Sequence, residues 1–161
     1  MSVFPQQGTV GNGPFPSASN VRTGLLRRDH RDAAEPEDED DHGEDQAKAD
    51  ALEEMGRLDM AKRSAERACR LDPENPYANF LLGRILYSMK KYAEAHRVMD
   101  KTLELDPHNA EALTIKGILI SITEEDYREA LTYFDRAIDE DTEYSKAWSN
   151  RGVALRQIGD R

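Results

Sequence analysis

The hydrophobic residues after about Ala47 follow the period of an amphipathic helix. The clearest stripe has apolar residues at positions i, i+3, i+4 and i+7, namely Leu82, Ile85, Leu86 and Met89. Such spacing places them on one helical face. Asn75-Pro76 predicts where this helix begins, because asparagine caps free backbone N–H groups and proline suits the first turn. A second stripe follows a Lys90-Lys91 turn and consists of Ala95, Val98, Met99, Thr102 and Leu103. The pattern predicts a pair of helices joined by a tight turn.

The helix pair recurs along the chain with a period of 34 or 35 residues. The markers are a proline, an alanine and a glycine at fixed places in the unit: Pro73 and Pro107; Ala61, Ala95 and Ala130; Gly83, Gly117 and Gly152. Self-similarity at this period is typical of helical solenoids, in which each unit packs only on its neighbours. Antiparallel helices approach to about 8–10 Å only where the crossing residues allow it. Gly83, Gly117 and Ala95 are therefore predicted at helix crossings.

These residues resemble the tetratricopeptide repeat, whose 34-residue pattern combines Trp-x2-Leu-Gly-x2-Tyr, Ala-x3-Phe, alanine and proline. The matching residues are Leu82-Gly83, Ala95, Met99 (in the place of Phe) and Pro107 in the second unit, Gly117, Ala130, Phe134 and Ala137 in the third, and Trp148 and Gly152 in the fourth. The first unit matches least, with Ala49 in place of glycine. The resemblance covers about residues 45–161. It implies an all-α fold, a right-handed solenoid of helix hairpins.

The predicted organisation is a tail over residues 1–45 and a repeat domain over residues 46–161. The repeat domain divides into three helix pairs and one additional helix, at about 46–75, 76–109, 110–144 and 145–161. The additional helix is either a cap or the start of a repeat that continues in a longer protein.

The first 45 residues differ in composition from the rest of the chain. They carry 4 basic and 10 acidic side chains, which is a net charge of −6 out of −10 for the whole chain. An acidic run from Glu35 to Asp45 follows two isolated Phe-Pro pairs, and no helical or strand period is present. Such a composition predicts a disordered tail. The tail is either a solubilising leader or a docking arm for a basic patch on a partner.

Composition also limits which cellular compartment and which classes of partner we expect for the protein. No apolar run is long enough to span a membrane, and the net acidity argues against nucleic acid as a partner. The single cysteine, Cys69, cannot form an internal disulfide. This favours a reducing compartment, and we expect a cytoplasmic protein.

Residues that could carry out catalysis are sparse. The four histidines form no metal-binding motif, and neither a phosphate-binding loop nor a nucleophile elbow is present. Cys69 lies on the apolar stripe of its helix, which is typical of a packed, unreactive thiol. We therefore predict a protein that is not an enzyme and that has no catalytic residues, no metal site and no cofactor.

The resemblance implies a concave groove lined by the first helix of each unit. On these helices, the stripe opposite the core-facing residues predicts the lining: Tyr77, Phe80, Arg84 and Tyr87; then Glu111, Thr114, Ile118 and Ser121, with Ile122 beside them; then Lys146, Ser149, Val153 and Arg156, with Asn150 adjacent. The first unit adds Gln46 and the acidic residues Asp50 and Glu53. Two alternatives remain for the aromatic rings, which either anchor a side chain of a partner or pack neighbouring helices. Arg84 likewise pairs either with Asp50 or with a carboxylate of the ligand.

One activity of such repeats is not implied by this sequence. Repeat domains that grip the C-terminal carboxylate of chaperones use Lys and Asn, then Asn, then Lys and Arg, from three successive first helices. The matching places here hold Gln46, Asp50, Leu81, Glu111 and Ile115. Shifting this comparison by one repeat unit towards the C-terminus does not reproduce the clamp residues either.

The predicted function is a non-catalytic scaffold that binds a peptide or a helix of a partner protein in the groove. One alternative is an assembly subunit that forms a homo-oligomer through Trp148, Leu155 and Ile158 of the last helix. Another is a fragment of a longer tetratricopeptide-containing protein or enzyme.

Overall fold

A computed structural model describes residues 42–159, which form seven α-helices. They are α1 (His42–Glu54), α2 (Leu58–Leu71), α3 (Pro76–Ser88), α4 (Tyr92–Leu105), α5 (Ala110–Thr123), α6 (Tyr127–Glu140) and α7 (Ser145–Gly159). The described part of the chain contains no strand, so the predicted all-α class is confirmed. No helix within it is long and apolar enough to cross a membrane.

Consecutive helices form three pairs, α1 with α2, α3 with α4 and α5 with α6, and α7 packs on α6 and α5. The turn inside each pair contains one residue with a left-handed backbone: Gly56 (φ 71°), Lys90 (φ 60°) and Glu125 (φ 54°). These three residues occupy the same place in successive units. Glycine adopts this conformation without steric cost, whereas the other two units use residues that carry a Cβ atom.

Asparagine caps the first helix of the second unit, as the sequence predicts, and also the first helix of the third unit. Oδ1 of Asn75 accepts a hydrogen bond from the backbone N of Ala78 at 3.0 Å. Oδ1 of Asn109 does the same for Ala112 at 2.9 Å. Each cap satisfies a backbone N–H that has no partner inside the helix, and it sets where the helix begins.

The predicted close crossings occur at two of the repeated glycines. A Cβ atom at Gly83 would lie 2.8 Å from Cε of Met99, and one at Gly117 would lie 2.6 Å from Cε1 of Phe134. A side chain at either position would overlap the paired helix. Gly152 differs, because nothing lies within 4 Å of its Cβ position in the described structure.

The repeat region starts earlier than the sequence predicts. Residues 42–45 were expected in the tail but form the first turn of α1. Acidic residues are favourable there because they face the positive end of the helix dipole, and Glu44 and Asp45 occupy that turn. Asp45 is also buried, with Oδ2 lying 3.1 Å from Nε of Arg67 on α2. The remainder of the predicted tail, residues 1–41, lies outside the described residues.

Replacing Gly117 and Gly152 with alanine should change stability in opposite directions. Gly117→Ala places a methyl group against the buried ring of Phe134 and should lower the free energy of unfolding by about 1–3 kcal/mol. Gly152→Ala enters open space and should raise it by about 0.5–1 kcal/mol, because alanine is the better helix former. Urea unfolding followed by circular dichroism measures both changes. Stabilisation by Gly117→Ala would contradict the close crossing.

Candidate peptide-binding groove

The first helices of the units lie side by side, with α1 contacting α3, α3 contacting α5, and α5 contacting α7. A cavity of about 310 Å³ opens along this surface and is lined by residues from all four of these helices. The lining residues are Glu53, Arg84, Tyr87, Ser88, Glu111, Thr114, Ile115, Ile118, Tyr144 and Lys146. We call this surface the groove.

The groove continues towards α7 as a more apolar stretch. A second cavity of about 250 Å³ lies next to Ile118 and is lined further by Ile122, Asn150 and Val153. The side chain of Ile122 is 46 % exposed, so it is open to a partner. A single surface therefore offers polar residues at one end and aliphatic residues at the other.

Most of the sequence-predicted lining residues lie on this surface. Arg84, Tyr87, Ile118 and Lys146 line the first cavity, and Ile118, Ile122 and Asn150 line the second. Tyr77 is 44 % exposed on α3, beside the carboxylate of Asp50. Position on the surface makes these residues available to a partner, and their role in binding remains a prediction.

Phe80 does not line the groove, and its assignment as an anchor is wrong. Its ring is only 3 % exposed and packs in the core with Ala112, Ile115 and Leu119 of α5. The ring therefore joins the second unit to the third, which was the alternative interpretation of the aromatic stripe. Its remaining face is covered by the guanidinium of Arg84, 5.4 Å from the ring centroid.

Thr114 contributes little surface to a partner. It forms part of the wall of the first cavity, but only 1 % of the residue is exposed. Its hydroxyl donates to the backbone carbonyl of Ala110 at 2.9 Å, so the polar atom is directed at its own helix.

Arg84 forms the centre of an ion-pair network between the first two units. Its Nη2 lies 2.6 Å from Oδ1 of Asp50, and its Nε donates to Oε2 of Glu53 at 2.9 Å. Ser88 donates to the other oxygen of Glu53 at 3.3 Å. Burial disfavours the charge of Arg84, but the hydrogen bonds and charges of Glu53 and Asp50 outweigh it and raise the pKa of Arg84. The expected pairing with Asp50 is confirmed, so Arg84 is already occupied.

Three tyrosines near the groove keep their phenol protons. Burial, followed by the hydrogen bond to Asp50, raises the pKa of Tyr77 to about 12. Burial, followed by the negative charge of Glu111, raises the pKa of Tyr144 to about 12. The pKa of Tyr87 is also raised, first by burial and then by Tyr92. At neutral pH these phenols are uncharged hydrogen-bond donors.

Two charged side chains of the groove have no partner within residues 42–159. Glu111 on α5 and Lys146 on α7 form no ion pair or hydrogen bond through their side chains there. Glu111 is half-buried in the cavity wall, whereas Lys146 is exposed at its rim. The more buried of these two unpaired charges is therefore the negative charge of Glu111.

Tyr144, which the helical stripes do not predict, precedes α7 and lines the first cavity. Its position corresponds to the capping residues Asn75 and Asn109 of the earlier units. The departure from asparagine at this repeated place is the signal that identifies it. Tyr144 packs beside Leu113 and Ala147, which directs its ring towards the groove.

The described residues contain no group of three or more side chains arranged to hold a metal ion. Cys69 is partly rather than fully buried. Burial raises the pKa of its thiol to about 11, so the reactive thiolate form is scarce at neutral pH.

The helix pairs, the crossings at repeated glycines and the groove along the first helices define a tetratricopeptide repeat protein. Residues 54–144, more than half of the chain, match the family described as anaphase-promoting complex, cyclosome, subunit 3, and the chain belongs to this family. No curated protein matches the chain in sequence.

Solved structures share the fold at low sequence identity. The first TPR domain of Spaghetti (RPAP3), bound to the HSP90 peptide SRMEEVD, has a TM-score of 0.70 and 16 % identity, over 76 % of this chain and 96 % of that one. The Arabidopsis OM64 TPR domain has a TM-score of 0.67 and 16 % identity, over 71 % and 94 %. A mutant of the Thermobaculum terrenum O-GlcNAc transferase has a TM-score of 0.66 and 22 % identity, over 71 % of this chain but 22 % of its own length. These likenesses establish the fold.

Asp50→Asn should lower the pKa of Tyr77 from about 12 towards its ordinary value of 10.0. The substitution removes the negative charge that opposes ionisation of the phenol, while the burial that also raises the pKa persists. The difference in ultraviolet absorbance between the folded protein and its Tyr77→Phe variant, followed against pH, isolates this phenol. An unchanged titration in Asp50→Asn would contradict the contact.

The raised pKa of Tyr77 also predicts how stability depends on pH. The pKa is higher in the folded state than in the unfolded state, so the associated stabilisation is complete below pH 10. It is lost as the pH rises through about 12. Tyr77→Phe should therefore reduce the alkaline loss of stability between these two pH values, as measured by urea unfolding.

Proposed function

We propose that this protein is a non-catalytic interaction module that binds a peptide or a helix of a partner protein in the groove. The observation that carries the proposal is the continuous groove, with unpaired Glu111 at one end and the partly exposed aliphatic residues Ile118 and Ile122 at the other. Concave sites with apolar walls and a few polar groups are typical binding sites. Relatives in fold support the general class, since the Spaghetti (RPAP3) domain is bound to a peptide.

The charges of the groove favour a partner segment that contains a basic residue next to an aliphatic one. Arg84 is occupied by Asp50 and Glu53, so it has little capacity left for a carboxylate of a ligand. Glu111 remains free in the wall of the cavity and would pair with a lysine or arginine. The aliphatic side chain would contact Ile118 and Ile122. Charge complementarity of this kind selects between partners and speeds their association.

The same charges disfavour an acidic peptide. The peptide bound to the Spaghetti (RPAP3) domain, SRMEEVD, carries three acidic residues. In this chain such a peptide would meet Asp50, Glu53 and Glu111. The absence of the residues used by the chaperone-tail clamp supports the same conclusion. We therefore propose that this protein binds a more basic peptide than the one bound to the Spaghetti (RPAP3) domain.

A second candidate is a role as a subunit of a larger assembly. The observation that favours it is the family description, which names subunit 3 of a complex. Tetratricopeptide grooves and helix ends are both surfaces through which such a subunit would contact its neighbours. The cellular compartment, predicted to be the cytoplasm, is part of this proposal as well.

The groove can be tested with peptides selected from a random displayed library on the immobilised chain. Ile122→Asp should weaken a selected peptide at least tenfold, because it places a charge in the aliphatic contact; tenfold corresponds to about 1.4 kcal/mol. Met60→Asp is the matched control, since Met60 is also 46 % exposed but lies on a second helix, α2. Fluorescence anisotropy measures the affinities, and circular dichroism verifies the fold.

A separate experiment tests the proposed preference for a basic peptide. Glu111→Gln should weaken peptides that carry a lysine or arginine and reduce the dependence of their affinity on salt. SRMEEVD should bind more weakly than any of the selected peptides. Equal binding by the Ile122→Asp and Met60→Asp variants would contradict the groove, whereas tight binding of SRMEEVD would contradict only the proposed charge preference.

A further inference from the structure

A cavity of about 290 Å³ lies between α2 and α4, the second helices of the first two units. Leu82 and Leu86 of α3 and Val98 of α4 form its apolar part. The polar residues of its lining are Glu66, Asn79, Glu94, Arg97 and Lys101. These residues are distinct from those that line the groove. We call this cavity the crevice.

The acidic side chains of the crevice are paired, whereas its basic side chains are not. Each acid has a lysine close to it, at Nζ–Oε1 distances of 3.0 Å for Lys62 and Glu66 and 3.9 Å for Lys91 and Glu94. Arg97 and Lys101 form no ion pair or hydrogen bond through their side chains within residues 42–159. They stand four positions apart and therefore share one face of α4. The crevice thus offers two free positive charges beside an apolar wall.

The same positions one repeat later carry different side chains. Lys116 on α5 stands 34 residues after Leu82 and is buried. Its Nζ lies 2.5 Å from Oδ1 of Asp100, the equivalent of Glu66, and donates to Nδ1 of His96 at 3.0 Å. A long side chain of the first helix is therefore linked to α4 at this place. Leu82 has no polar atom with which to make such a link.

An aromatic ring stands at the place of Val98 in the third unit. Tyr133 on α6 lies 35 residues after Val98 and packs against the core of its unit. The guanidinium of Arg136, the equivalent of Lys101, lies 5.7 Å from the centroid of this ring. A cation is attracted to the face of an aromatic ring. The second unit thus has the apolar wall and the cation of this arrangement but not the ring.

We propose that the crevice binds an aromatic side chain of a partner protein that has an acidic residue next to it. The ring would pack on Leu82 and Val98, in the place that Tyr133 holds one unit later. Lys101 would lie against the face of the ring, and Arg97 would pair with the neighbouring carboxylate of the partner. The groove is proposed to bind a basic segment, so the two surfaces would select segments of opposite charge.

Three other occupants fit the crevice less well. An uncharged aliphatic segment would leave both Arg97 and Lys101 without a partner, and a basic segment would be repelled by them. A small inorganic anion would pair with the two cations but would leave the apolar wall at Leu82 and Val98 uncovered. An aromatic residue next to an acidic one satisfies both parts of the crevice.

The probe is a peptide selected from a displayed library of short sequences with a fixed central tyrosine. Selection uses the full chain carrying Ile122→Asp, which removes the aliphatic contact of the groove. The selected peptides should carry aspartate or glutamate beside the tyrosine. Replacing the tyrosine with alanine should weaken a selected peptide at least tenfold, as measured by fluorescence anisotropy. Recovery of no binding peptide, or of peptides without acidic residues, would overturn the proposal.

Two variants of the full chain fill the crevice with the side chains of the third unit. Leu82→Lys copies position 116 and Val98→Tyr copies position 133. Each should weaken a selected peptide at least tenfold, because its side chain occupies the space that the ring of the peptide needs. Met60→Lys is the control, since Met60 is exposed on α2 outside the crevice. Circular dichroism verifies each fold, and equal binding by the folded variants and the control would overturn the proposal.

A pair of charge reversals tests the role of the two cations. Arg97→Glu combined with Lys101→Glu should weaken a selected peptide at least tenfold and reduce the dependence of its affinity on salt. Arg63→Glu combined with Arg70→Glu makes the same change in net charge at exposed positions of α2 and should leave the affinity unchanged. Equal loss in both variants would show a general effect of charge and overturn the proposal. Because the peptides are selected on the Ile122→Asp chain, such a failure leaves the proposed function of the groove unaffected.

Discussion

The close contact between the two helices of each unit is the constraint on which the remaining structure depends. At Gly83 and Gly117 the first helix carries no side chain, so Met99 and Phe134 of the second helix occupy that space. Interiors pack densely and tolerate few voids, so this choice fixes how the two helices cross. Repetition of the crossing places the first helices next to one another. The groove is a consequence of that stacking.

Local chemistry explains why much of the fold could be predicted from the sequence. The caps at Asn75 and Asn109 and the period of the glycines depend on residues that are close in sequence or repeated. The pairing of Arg84 with Asp50 was also predictable. The two residues are 34 positions apart, so they occupy equivalent places in successive units and lie side by side on neighbouring first helices. The start of α1 was missed because an acidic run has the composition of a tail, whereas helix N-termini also favour acidic residues.

Parts of the groove could not be predicted from the sequence. The spacing of residues along one helix predicts on which face they lie, but it does not predict which neighbouring helices bury that face. The spacing of Phe80 places it on the stripe opposite the core-facing residues of α3, yet the ring is buried and packs with Ala112 and Ile115 of α5. The distance between neighbouring first helices depends on every side chain between them, and no single spacing in the sequence encodes it. Tyr144 could not be predicted for a different reason. It lies in the turn before α7, outside the helical residues whose spacing predicts the groove, and it reaches the groove from that turn.

The proposed groove depends on α7, which contributes Lys146, Asn150 and Val153 to it. The groove would select by charge, since Glu111 is unpaired and Arg84 is occupied by Asp50 and Glu53. Only Ala147 and Ala154 of α7 are buried, and an ion pair of 2.6 Å between Arg151 and Asp135 adds a polar attachment to α6.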